Sequence, residues 1–109
     1  MLIDAAPTTF SAIFVCAGWT DLRKSIDGLI DVLYYTYHVN PYLSENELFL
    51  FCGRSNYKIK GLVKESNGFV LINKRLRTDR FHWNRDQSAG LQKISYEQFI
   101  HLMNDGTLE

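Results

Sequence analysis

The chain has 109 residues, and its 46% apolar and 14% aromatic content is that of a packed domain rather than a disordered tail, so one domain over residues 1–109 is expected, with an ordered core from about 11 to 104. Lys and Arg number 12 and so do Asp and Glu, which excludes a uniformly basic nucleic-acid or membrane-surface protein. No apolar run reaches the ~20 residues of a membrane span, and Met1-Leu2-Ile3-Asp4 lacks the basic flank of a secretory signal, so a cytoplasmic protein is expected.

After a loose start ending near Pro7, residues 11–16 read as a buried strand, Ala17-Gly18-Trp19 as a turn, and Thr20 as a helix N-cap. Leu22, Ile26, Leu29, Ile30, Leu33 and Tyr37 recur at helical spacing, which predicts a helix over 20–37 that is stopped before Asn40-Pro41. Residues 47–52 form the next expected strand, Gly53-Arg54-Ser55-Asn56 a turn, and residues 57–65 a third strand. Asn67-Gly68 predicts a tight hairpin turn with both residues at positive φ, returning through a strand over 69–76. Arg80 to Trp83 reads as a further strand or edge, and Ser95 caps a short helix over 96–104 that stops at Gly106. The expected fold is α+β: an antiparallel sheet of about four to five strands, in the order strand, helix, three or four hairpin-linked strands, short C-terminal helix.

Cys16 and Cys52 sit inside apolar runs with no CxxC or His/Cys spacing, so they are read as buried, reduced thiols, and neither a metal nor a cofactor is expected. Charge is unevenly placed. From Arg54 to Arg85 there are nine basic residues and two acidic ones, a surplus of seven that the rest of the chain offsets. With Asn67-Gly68 as the loop, Lys60 faces Arg75 and Lys58 faces Arg77, and the alternation of a strand puts Lys58, Lys60, Lys64, Arg75 and Arg77 on one face, with Phe69 at its tip. The opposite face, with Tyr57, Ile59, Val63, Val70 and Ile72, is then the core face. Three readings of the cationic face stay open: a phosphate-binding surface, one paired with the chain's own carboxylates, or a solvated one that guards the sheet against aggregation. Tyr57, Phe69, Phe81 and Trp83 interleave with the cations and are read either as core or as rings on which bases stack.

Two stretches carry a resemblance. One is Gly18-Trp19-Thr20-Asp21-Leu22-Arg23-Lys24-Ser25-Ile26-Asp27-Gly28-Leu29, and the other is Gly68-Phe69-Val70-Leu71-Ile72-Asn73-Lys74-Arg75-Leu76 followed by Arg80-Phe81-His82-Trp83. Between them stand Asn40-Pro41 and Leu48-Phe49-Leu50-Phe51-Cys52-Gly53-Arg54. In order and spacing these motifs resemble the Orf2 accessory protein of bacterial insertion sequences of the IS sixty-six type, over about residues 12 to 104. Asn84 stands where that family commonly has proline. The resemblance implies a part in transposition of a mobile element beside a separate transposase, no catalytic activity, and a motif set of Asp21, Arg23, Lys24, Asp27, Gly28, Gly68, Lys74, Arg75, Phe81 and Trp83.

Taken together, these observations point to an accessory protein that contacts DNA through Lys58, Lys60, Lys64, Arg75, Arg77, Arg23 and Lys24. The alternative is a protein-only adaptor for the transposase or a companion accessory protein. Neither membrane nor small-molecule substrate is expected. On the predicted helix Arg23 and Asp27 stand one turn apart and can pair, and Gly28 costs about 1 kcal/mol against Ala, for which close approach of another backbone is one reason. The stretch reads either as packing of the helix onto the sheet or, at Arg23 and Lys24, as a contact surface. A third reading, a small nuclease, would rest on His82 with Arg80, Arg85 and Lys58. The carboxylates Asp21, Asp27 and Asp31 lie on the one predicted helix and cannot by themselves surround a metal.

Overall fold

The structure is a computed structural model and describes residues 10–106; the sequence readings at Met1-Leu2-Ile3-Asp4 and Pro7 fall outside them. Glu47–Cys52 (β2) is apolar at five consecutive positions, the pattern of a strand covered on both faces, and it lies in the middle of a five-stranded sheet. The other strands are Ala12–Cys16 (β1), Lys58–Glu65 (β3), Gly68–Arg75 (β4) and Leu91–Ile94 (β5), ordered β4-β3-β2-β1-β5. Ile26–Tyr35 (α1) and Tyr96–Asp105 (α2) complete the α+β fold. All neighbours pair antiparallel except β1 and β2, which are parallel because the chain crosses over through α1 between them.

Alternate residues of the central strands feed two separate cores. Ile13, Val15, Leu48, Leu50, Cys52, Ile59 and Val63 meet Phe99, Leu102 and Met103 of α2 on one face. On the other, Cys16, Phe49, Phe51 and Leu62 meet Leu29, Ile30 and Leu33 of α1. The sheet therefore has no solvated face of the kind the sequence suggested. The face read as cationic is cationic only at its ends, and its middle, Leu62 opposite Leu71, packs under α1. Both cysteines are free and buried, and burial raises both thiol pKa values, that of Cys52 to about 12. Burial likewise raises the Tyr37 phenol to about 12, and its hydroxyl donates to the Ala17 carbonyl.

Three local expectations are corrected. α1 begins at Ile26 with Ser25 as its N-cap, not at Thr20, because Asp21 turns its carboxylate onto the backbone N–H of Arg23 at 3.0 Å, a local bond that competes with helix. The apolar stripe was nevertheless the buried one: Leu29, Ile30, Leu33 and Tyr37 are buried, and Leu22 and Ile26 pack against them. The hairpin loop is Ser66-Asn67, closed by Glu65 opposite Gly68, and neither Asn67 nor Gly68 takes positive φ. That register sets Leu62 against Leu71, where an Asn67-Gly68 loop would have set Leu62 against Asn73. Apolar cross-strand pairing under a helix outweighs the preference of the turn. Finally, the segment 80–86 is irregular, and the fifth strand is β5.

That irregular segment is held from several sides. Phe81 N–H donates to Asn56 O at 2.6 Å, His82 N–H to Gly106 O at 2.7 Å, and Gly18 N–H to Asn84 O at 2.7 Å. Phe81 and Trp83 are buried, so they are core rings rather than stacking platforms, and the Trp83 indole donates to the Cys16 carbonyl at 2.9 Å. α2 starts on a complete capping box between Ser95 and Gln98 and ends at Gly106 (φ 80°), where an added Cβ would lie 2.9 Å from the Arg80 carbonyl. No helix among the described residues is long and apolar enough to cross a membrane. Trp83→Phe removes the indole donor and shrinks a buried ring, so urea denaturation is expected to show a loss of about 1–3 kcal/mol.

Candidate nucleic-acid interface

A sheet with both faces covered leaves its rims for charge. β1 and β2 end, β3 begins and β4 ends at the same rim, and the sequence places Trp19 to Lys24, Arg54, Lys58, Lys74 and Arg75 there. The rim is a cleft of about 730 Å³ between the loop that precedes α1 and the ends of β3 and β4. Its lining includes the six cations Arg23, Arg54, Lys58, Lys60, Lys74 and Arg75, and one carboxylate, Asp21. Trp19 stands at its edge, 45% exposed, with the Arg54 guanidinium 4.6 Å from the ring centre.

Each wall is fixed by main-chain bonds. Thr20 is buried and its N–H donates to Cys52 O at 2.8 Å, which lays the loop across the end of β2, and Leu22 covers Gly53 so closely that a Cβ there would come within 3.1 Å of it. Lys60 Nζ donates to the Lys24 carbonyl at 2.8 Å and ties strand to loop. On the far side, the Arg85 guanidinium donates to Gly53 O at 3.3 Å, to Arg54 O at 3.2 Å and to the Asn56 side chain, holding a turn in which Asn56 takes φ 61°. Beside the cleft, a second groove of about 510 Å³ is lined by Tyr57, Arg75, Leu76, Arg77 and Arg80. The Tyr57 ring lies 5.3 Å from Arg75, 5.3 Å from Arg80 and 5.5 Å from Lys58. Rings this close ease the crowding of like charge.

Among the described residues, Arg23 is the only lysine or arginine paired with a carboxylate, at 2.8 Å from Asp21. This replaces the Arg23–Asp27 pair expected on a longer helix. The two Arg23 nitrogens and its backbone N–H, in that order of weight, hold the Asp21 carboxyl well below the ordinary range, and Asp21 in return raises Arg23. Gly28 is closed by the Lys24 side chain, whose Cβ would lie 3.0 Å from an added Cβ, and not by a second backbone.

The residues named from sequence are thus divided. Lys58, Lys60, Arg75 and Arg23 share the cleft, Arg77 borders the adjoining groove, and Lys24 is exposed beside the loop that Lys60 ties down. Lys58 faces Arg75 and Lys60 faces Asn73, one pair out of the expected register but on the expected common face. Lys64 is at the other end of β3, where its Nζ donates to Ser44 O at 3.3 Å near Glu45 and Glu65. Arg54, Lys74 and Trp19 join the site without having been singled out for nucleic-acid contact. The available signal was position, since each abuts the end of a strand that a motif had already located. Of the residues considered for nuclease chemistry, His82 is exposed on the irregular segment and Arg85 is turned onto the carbonyls of Gly53 and Arg54.

The stretches that meet at this rim are those by which the resemblance was recognised, and comparison with known families agrees. The family described as "IS66 Orf2 like protein" matches residues 11–108. The chain belongs to that family. It is also 28% identical over 92 residues to "Uncharacterized protein y4hO" of Sinorhizobium fredii (strain NBRC 101917 / NGR234), covering 84% of this chain and 77% of that protein. No solved structure matches. In this IS66 Orf2-like protein the Asp21–Arg23 pair is open to a direct check. Because the folded pKa of Asp21 is depressed, its contribution is present above the unfolded value of about 3.9 and is lost as pH falls through the folded one. An NMR titration is expected to place the Asp21 midpoint below the ordinary value of about 3.9, and Arg23→Ala to return it toward that value.

Proposed function

We infer that this IS66 Orf2-like protein is a non-catalytic, cytoplasmic accessory factor in transposition that contacts the phosphates of DNA through the cationic cleft. The observation that carries the reading is the convergence of six cations from three separate stretches of chain on a cleft whose single carboxylate is already engaged by Arg23. Phosphate is the partner that relieves such crowding. Lys58 directly opposite Arg75 is unfavourable in the isolated protein and favourable with an anion between them. Cations that gather on a cleft without a recognition helix suit contacts to the sugar-phosphate backbone.

A second reading, an adaptor for the transposase or a companion protein, draws on Tyr34, Tyr35, Tyr42 and Leu43, which expose 52–83% of their surface near the end of α1. Salt separates the two. With three to five cations engaged, log affinity for DNA is expected to fall against log salt with a slope of roughly −3 to −4. Lys58→Ala/Arg75→Ala is expected to make the slope shallower by about 2 and to weaken binding alike for all sequences. The same pair should leave the melting temperature unchanged or raise it, since two opposed like charges are removed. DNA affinity indifferent to that double substitution would transfer the function to the adaptor reading.

A further inference from the structure

β4 lies at one edge of the sheet, and the way its backbone faces follows from its register. Glu65 opposite Gly68 closes the turn, and beyond the other end Leu76 N–H donates to Tyr57 O at 2.8 Å. Hydrogen-bonded pairs alternate with non-bonded ones along an antiparallel ladder, so Gly68, Val70, Ile72, Lys74 and Leu76 turn their N–H and C=O toward β3. Phe69, Leu71, Asn73 and Arg75 turn theirs outward, and no backbone bond to that outer side is made among the described residues.

Edge strands are ordinarily protected by proline, a bulge, a central charge or brevity. β4 has none of these: it is eight residues long, its pairing with β3 is unbroken, and its centre is Val70-Leu71-Ile72, with Val70 37% exposed. The opposite edge, β5, has four residues and includes Lys93.

We propose that β4 is a self-association edge that pairs antiparallel with β4 of a second copy about a two-fold axis through Ile72. This is the register in which the outward residues meet only one another: Phe69 opposite Arg75 of the second copy, and Leu71 opposite Asn73. It also keeps cations apart, since Arg75 meets a ring and Lys74 meets Val70. Moving the axis to Lys74 would oppose that cation to itself. Because the strands run in opposite directions, the cationic end of each copy lies toward the hairpin end of the other, where Glu45 and Glu65 outnumber Lys64, so the net charges are complementary at both ends. A two-fold contact uses the same surface twice and closes, giving a dimer and not a fibre.

Sedimentation equilibrium of the full chain over a wide concentration range is expected to show a reversible monomer–dimer equilibrium. Val70→Lys sets a lysine against Lys74 twice in each dimer and should weaken association about tenfold, whereas Val70→Glu sets a carboxylate there and should tighten it several-fold. Asn73→Pro removes an outward N–H without touching the ladder to β3 and should abolish the dimer. Circular dichroism checks the fold of each variant, and if Val70→Lys does not fold, Val70→Glu and Asn73→Pro still decide. A monomer at every concentration overturns the proposal, as does a dimer whose strength these substitutions leave unmoved.

Discussion

Burial of β2 on both faces is the constraint from which the rest follows. Five consecutive apolar residues cannot leave either side of the strand in water, so each side needs its own cover. α1 supplies one, and α2 with the Phe81–Trp83 segment supplies the other. Once both faces are closed, charged side chains on neighbouring strands are driven to the ends of the sheet. Lys58, Lys60 and Arg75 emerge at one rim, and Glu45, Glu47 and Glu65 lie at the other.

The recognisable stretches divide by role. Thr20 to Arg23 and Asn73 to Arg75, distant in sequence, form facing walls of the cleft. Phe81 and Trp83 do not reach it. They lie under the sheet and fix the irregular segment from which Arg85 grips the Gly53–Asn56 turn. A motif that reads as one signature is therefore a surface and its support, and substitution in the support alters the surface without any charge being lost.

Much of this was legible. β2 was read with its observed bounds, β3 and β4 within a residue, and α2 with its cap and its stop, because each carries an uninterrupted periodic or apolar pattern and a local signal at the end. What misled was local chemistry overruled by tertiary packing. Thr20 is a good cap by type, yet Asp21 captures the next amide but one and delays the helix. Asn67-Gly68 is a strong turn by type, yet the apolar match of Leu62 with Leu71 moves the loop by one residue. The shift kept side-chain parity, so the cations stayed together. β5 was not read at all: four residues, Leu91 to Ile94, form a strand only because β1 offers its free edge.

That last pairing sets the order in which the molecule is made. β1 is synthesised early and needs β5, made near the end, to complete its far side, while α2 arrives later still to cover the core that β1 shares with β2. Local hairpin contacts between β2, β3 and β4 are available at once, whereas closure at β1 waits for distant chain. A nascent chain arrested before residue 91 therefore holds β1 without its outer neighbour and the core it shares with β2 without the cover of α2. Chaperone demand during translation should concentrate in that interval.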